Sequence, residues 1–229
     1  MRLFADLVVL PFRHGPFWNF SYLIGCAETG EAVAIDPAWN VEAILSAAAG
    51  RDLRISTAIL THGHDDHAHG TGALVDRTGA RVFVHSAELT EVRRVYQGPL
   101  VEVSGRTELA VGRLAIHLLP TPGHTPGSLS VLVGDQLFSG DTLHVGAVGR
   151  PGADSGAARA LWESVQALLD VLPESTVIRP GHDSGPEPSS TIGTERARVP
   201  ALRARSFADF VQSIEHAHGR TVSLDGTDG

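Results

Sequence analysis

Apolar and polar positions alternate with two periods along the chain, and the pattern predicts strands and helices interspersed. Residues 2–10 (RLFADLVVL) and 19–25 (NFSYLIG) alternate or run apolar and predict two strands. Residues 31–36 (EAVAID) predict a third, joined to the second by a hairpin turn at CAETG. Helical spacing follows over 40–50, with Asn40 as N-cap and Gly50 as the stop. The β-branched run 55–61 (ISTAILT) predicts a buried strand, 70–80 a helix and 81–85 (RVFVH) a short strand. Strands are expected again at 114–120 and across 127–141, where Gly134-Asp135 marks a tight hairpin. The longest amphipathic pattern, 156–173, predicts a helix ended by Pro173. Residues 175–182 predict a strand ending in a Gly-His turn, and 205–219 a final helix before a frayed end.

This order lacks the strict strand–helix alternation of a doubly wound fold. Early and middle hairpins suggest packed sheets with helices outside, an α+β arrangement. The Gly/Pro-rich stretches 146–156 and 180–193 are expected as loops. One domain over 1–190 with a short helical extension over 191–229 is the expected organisation.

Composition narrows the function classes. The net charge of −8 argues against a nucleic-acid binder. No run of 18 apolar residues is present, and the first residues carry no cleavage signal, so neither a membrane span nor a signal peptide is expected. One cysteine, Cys26, excludes an intramolecular disulfide and makes a reducing cytoplasm the default expectation. All 18 basic residues are arginine, which excludes a lysine Schiff base or a phosphate-binding loop with its lysine. A G-x-S-x-G nucleophile elbow is also absent.

The chemistry concentrates in 60–70, LTHGHDDHAHG. His62 and His64 are two apart at a strand end, where alternate side chains project to one side and can meet at one point. Asp66 and His67 follow where the chain turns toward a helix, so they can face a second point nearby. By itself this stretch could be a solvated polar loop. Three further places end predicted strands with a ligand-type residue: His124 in PTPGHTPGS, Asp141 in LFSGDT and His182 in IRPGH. Imidazole and carboxylate are donors that zinc or iron accepts.

The series H-x-H-x-D-H, T-P-G-H-T-P-G-S, S-G-D-T and P-G-H resembles the metallo-β-lactamase superfamily over 20–185. The stretches GDTLHVGAVGR and PGHDSGPEPSSTIGTERARVP make it most similar to the glyoxalase II and persulfide dioxygenase branch. The resemblance implies a four-layer αββα sandwich of two mixed sheets, with metals at one edge. It implies His62, His64 and His124 on one metal, Asp66, His67 and His182 on a second, and Asp141 bridging both. Asp66 would also orient the nucleophile. Relatives usually carry G-C-G-R where this chain has Ala147-Val148-Gly149-Arg150, and often an aromatic residue at Ser184 and His144.

The expected activity is hydrolysis of a thioester of hydroxyacylglutathione type by a metal-bridging hydroxide, with two Zn(2+). The alternatives are a mononuclear non-haem Fe(2+) persulfide dioxygenase, using His62, His124 and Asp141, and a metal-binding module whose catalysis has decayed. Arg150 and His144 are candidate substrate contacts, Arg150 as anchor for a carboxylate. The expected partner is a small-molecule thioester or thiol-derived substrate, with homodimerisation through the sandwich edge also considered. Asp65 and His69 are read as supporting or solvated groups, Cys26 as a bystander, and GPFWNF as core or an apolar pocket wall. His14, His85, His117, His216 and His218 are read as structural or exposed.

Overall fold

The computed structural model describes residues 7–218. Two six-stranded sheets form its centre. The first contains, in spatial order, β1 (Leu7–His14), β2 (Asn19–Cys26), β3 (Glu31–Ile35), β4 (Arg54–Ile59), β5 (Arg81–His85) and β6 (Leu100–Val103). Strands β1 to β3 pair antiparallel, whereas β3 to β6 run parallel. The parallel strands bring the ends of β4 and β5 to one edge.

The second sheet is built from β7 (Thr107–Val111), β8 (Leu114–Pro120), β9 (Leu129–Val133) and β10 (Gln136–Gly140). A two-residue hairpin, β11 (Leu143–His144) and β12 (Ala147–Val148), stands apart from both sheets. Strands β13 (Val177–Pro180) and β14 (Ser190–Thr191) complete the second sheet, with β13 parallel to β10. The ends of β10 and β13 therefore also share an edge.

Helices cover the outer faces. On the first sheet lie α1 (Val41–Ala49) and α3 (Thr71–Thr78), with the single turns α2 (Asp65–Ala68) and α4 (Leu89–Val92) beside them. On the second lie α5 (Ala157–Val171), α6 (Ile192–Arg198) and α7 (Phe207–His218). Three buried apolar layers result. Phe20, Ile24, Ile59, Leu118, Val131 and Phe138 fill the space between the sheets. Ile44 and Leu74 pack on the outside of the first, and Leu161, Val165, Phe210 and Ile214 on the outside of the second. The αββα sandwich is thus the observed architecture. Residues 192–214 share the apolar layer of α5, so the described part of 191–229 packs as an outer layer of the sandwich.

The structure differs from the sequence pattern in several places. The first strand runs to His14, beyond residue 10, and its predicted start at 2–6 lies outside the described residues. Pro11 is tolerated because β1 pairs only with β2 and is a sheet edge. Strands β6 and β7 were not foreseen. Each has only four or five residues with charged positions among the apolar ones, too short for a secure period. Asn40 sits at the N-cap of α1 but in a left-handed conformation, and its side chain makes no capping bond. Among the described residues no helix is long and apolar enough to cross a membrane.

Candidate metal centre

Loops at one edge of the sandwich carry every ligand-type residue of the motif series. β4 delivers the chain into Thr61–His64, and α2 turns Asp66 and His67 back toward the same point. The loop after β8 carries His124, and the ends of β10 and β13 present Asp141 and His182. Two glycines permit this crowding. Gly140 has φ +49, and a Cβ there would stand 2.6 Å from Thr61 Oγ1. A Cβ on Gly181 would stand 2.4 Å from Asp141 Oδ1. Backbone bonds from Phe20 N to Gly181 O and from Asp183 N to Trp18 O tie the start of β2 to this edge, each 2.8 Å long.

The seven side chains meet in two sets. His62 Nε2 and His124 Nε2 lie 3.0 and 3.1 Å from His64 Nδ1. His67 Nε2 lies 3.1 Å from His182 Nε2, with Asp66 Oδ2 3.7 Å from the latter. Asp141 stands between the sets. Its Oδ1 is 3.6 Å from His67 Nε2, and its Oδ2 is 3.5 Å from His124 Nε2 and 3.3 Å from His182 Nε2.

The outer ring nitrogens explain this convergence. His124 Nδ1 donates to Arg150 O at 2.8 Å and His182 Nδ1 to Phe17 O at 2.9 Å. Carbonyls only accept, so Nδ1 of each ring carries a proton and Nε2 is the atom left to face the cluster. Thr61 Oγ1 donates to Asp36 Oδ2 and so accepts from His62 Nδ1, fixing that tautomer too. His67 Nδ1 is held by Asp36 Oδ2 at 2.9 Å. Lone pairs aimed at one another from 3 Å repel unless a cation or a proton lies among them. Asp141 Oδ1 is also buried without a hydrogen-bond partner. The donor set fits metal ions: nitrogen and oxygen ligands, each imidazole oriented from behind.

The titration behaviour of the metal-free protein agrees. Burial, reinforced by the His67 charge, pushes His62 well below the usual imidazole range. Burial alone would also lower His67, but Asp141 and the Asp36 hydrogen bond overcome it and hold it at about 9. Burial would raise Asp141, yet the charge on His67 and the bond from His182 keep it well below the usual carboxylate range. A proton on His67 thus balances Asp141, the role a cation would take.

Asp36, Thr61, Asn19 and Glu88 complete the site and were not singled out by the motifs. Asp36 is buried, has φ 47, and accepts from Thr61 N, Thr61 Oγ1 and His67 Nδ1. A carboxylate closing the otherwise apolar strand AVAI was the available signal. Asn19 Nδ2 donates to Asp66 Oδ2 at 3.0 Å. Glu88 has no local signal; only the fold brings it near.

An open cleft of about 770 Å³ lies over the cluster. Phe17, Trp39, His144, Arg150, Ser184 and Ala217 line it beside the ligand-type residues. Phe17 is 62% exposed, so the GPFWNF aromatics divide: Phe17 forms a cleft wall, and Phe20 is core. Burial lowers His144 to about 4 and keeps it neutral at physiological pH. Its hairpin is held by Glu195 Oε2, which accepts from Gly146 N at 2.6 Å. Arg150 is exposed and lines the cleft rim, its carbonyl engaged by His124. Asp65 and His69 form an exposed pair, with His69 stacked on Trp39. Cys26 is buried. His14, His85 and His117 stand outside the cluster, and the side chain of His218 lies outside the described residues.

A family model described as the metallo-beta-lactamase superfamily matches residues 15–182. A hydroxyacylglutathione hydrolase of Anaeromyxobacter dehalogenans is 36% identical over 201 residues, 87% of this chain and 73% of that protein. The mitochondrial persulfide dioxygenase ETHE1 of Mus musculus is 31% identical, over 86% of this chain and 76% of its own. The crystal structure of ETHE1 from Myxococcus xanthus superposes with a TM-score of 0.80 at 33% identity, covering 92% of this chain and 91% of that one.

Proposed function

The chain belongs to the metallo-β-lactamase superfamily, and from that membership we propose that it is a metal-dependent hydrolase acting on a thioester of hydroxyacylglutathione type. One observation carries the reading: two trios of ligand-type atoms stand on either side of one carboxylate, Asp141, whose Oδ1 is buried without a hydrogen-bond partner. His62, His64 and His124 would hold one ion, Asp66, His67 and His182 the other, and Asp141 would serve both. Bound there, a pair of ions supplies Lewis acidity and lowers the pKa of water to roughly 7, so that no serine or cysteine nucleophile is needed.

The protein's own groups do the rest. Asp66, held by Asn19, points a carboxylate oxygen at the cluster and can orient the attacking water. Arg150 stands at the rim, where it can pair with a substrate carboxylate and align the scissile carbonyl over the site. His144, neutral, offers a hydrogen bond from the hairpin wall. No side chain becomes covalently modified.

Similarity to a persulfide dioxygenase, and to a second protein that shares its ETHE1 name, supports a second reading, oxidation at a single iron held by His62, His124 and Asp141. Oxygen consumption separates the two. Hydrolysis of an acylglutathione without oxygen uptake supports the thioesterase. Persulfide-dependent oxygen uptake, with no thioester turnover, would replace it.

A further inference from the structure

Glu88 is a buried carboxylate with two backbone partners, both in histidine loops. It lies in the short turn after β5, which His85 caps by accepting from Ala87 N through Nδ1. Its Oε2 accepts from Gly63 N and its Oε1 from Gly127 N, each at 2.7 Å. Gly63 stands between His62 and His64, and Gly127 three residues beyond His124. The residue is 1% exposed, so both bonds form away from water, where a charge-assisted bond is strong. Both partners are glycines for a visible reason. A Cβ on Gly63 would lie 2.9 Å from Oε2, and one on Gly127 2.8 Å from Oε1.

We propose that Glu88 is a positioning residue that staples the 62–64 loop to the 124–127 loop and thereby sets the His62, His64 and His124 trio. The inference rests on the metal-centre reading above. It assigns Glu88 to one trio only: Asp66, His67 and His182 are braced instead by Asn19, Asp36 and Phe17. A carboxylate suits the task because it accepts at both ends. An amide accepts at one end and sets a donor against the other N–H.

The test is Glu88→Gln, titrated with Co(2+) against a chromophoric chelator and followed by the visible spectrum. Wild type is expected to bind two ions. In Glu88→Gln one binding step should weaken by about 10–100-fold, the magnitude usual for groups that orient metal ligands, with the other step unchanged. The spectrum of the weakened ion should also change. A merely structural loss would lower both steps together. If Glu88→Gln gives no folded protein, Gly127→Ala serves, because its Cβ displaces the carboxylate from one N–H; the same one-step weakening is expected. Two wild-type binding steps and an unaltered spectrum in a folded variant would overturn the assignment to Glu88 and leave the metal centre standing. A wild type that binds no Co(2+) would overturn the metal-centre reading itself.

Discussion

The two halves of the cluster are braced by different means. His62, His64 and His124 sit on loops held mainly through backbone groups: Gly63 N and Gly127 N on Glu88, and Arg150 O on His124. In the other half His67 leans directly on a buried charge, Asp36, which reaches His62 only through Thr61, and Asp66 leans on the amide of Asn19. Loop shape therefore decides the first half, and local electrostatics the second. Asp141, touching both, is the only one of the seven whose loss should disable the two halves at once.

The largest effect is accordingly expected from Asp141→Ala: no measurable thioester turnover and reduced metal content in the purified protein, read by a thiol-release assay and elemental analysis. A fully active variant would dissolve the distinction between the halves.

Asp36→Asn should act on the second half first, with metal affinity falling about 10–100-fold. It also has a pH signature in chelator-treated protein. His67 is held at about 9 in the fold against 6.5 ordinarily. A raised imidazole stabilises the fold fully below pH 6.5, and that contribution is lost as pH rises through 9. Metal-free wild type should lose this increment between pH 6.5 and 9, and Asp36→Asn should show a flatter change over that window. Urea midpoints at the two ends measure it; an unflattened change would remove Asp36 from the account.

The smallest effect concerns the rim. Arg150 braces His124 through its carbonyl, which any residue provides, and meets substrate through its side chain. Arg150→Ala should raise KM for an anionic thioester about tenfold, the weight of one charge-assisted hydrogen bond, and leave kcat and metal content unchanged. Lost metal would place the side chain, not the carbonyl, in the brace.

The ligand-type residues and the groups that support them differ in how far they could be read from sequence. The first trio, the second trio and Asp141 were legible because each follows a strand end in a short, fixed-spacing motif, and period-two projection makes His62 and His64 meet. The supporting groups were not. Asp36 is 31 residues from His67, and Glu88 is 25 from Gly63 and 39 from Gly127, so only sheet pairing brings them together. Packed sheets with helices outside followed from hairpins interrupted by helices, and the four-layer sandwich from the family resemblance. The short strands β6 and β7 did not, because pairing with neighbours rather than their own pattern defines them. That Ala217 of α7 reaches the cleft could not be anticipated from a helix read as an extension.

Metal content of freshly purified protein, measured beside acylglutathione hydrolysis before and after chelation, tests the central claim most directly. The account predicts about two zinc ions per chain, with hydrolysis lost on chelation and restored by their return. Full thioesterase activity in protein stripped of metal would contradict it.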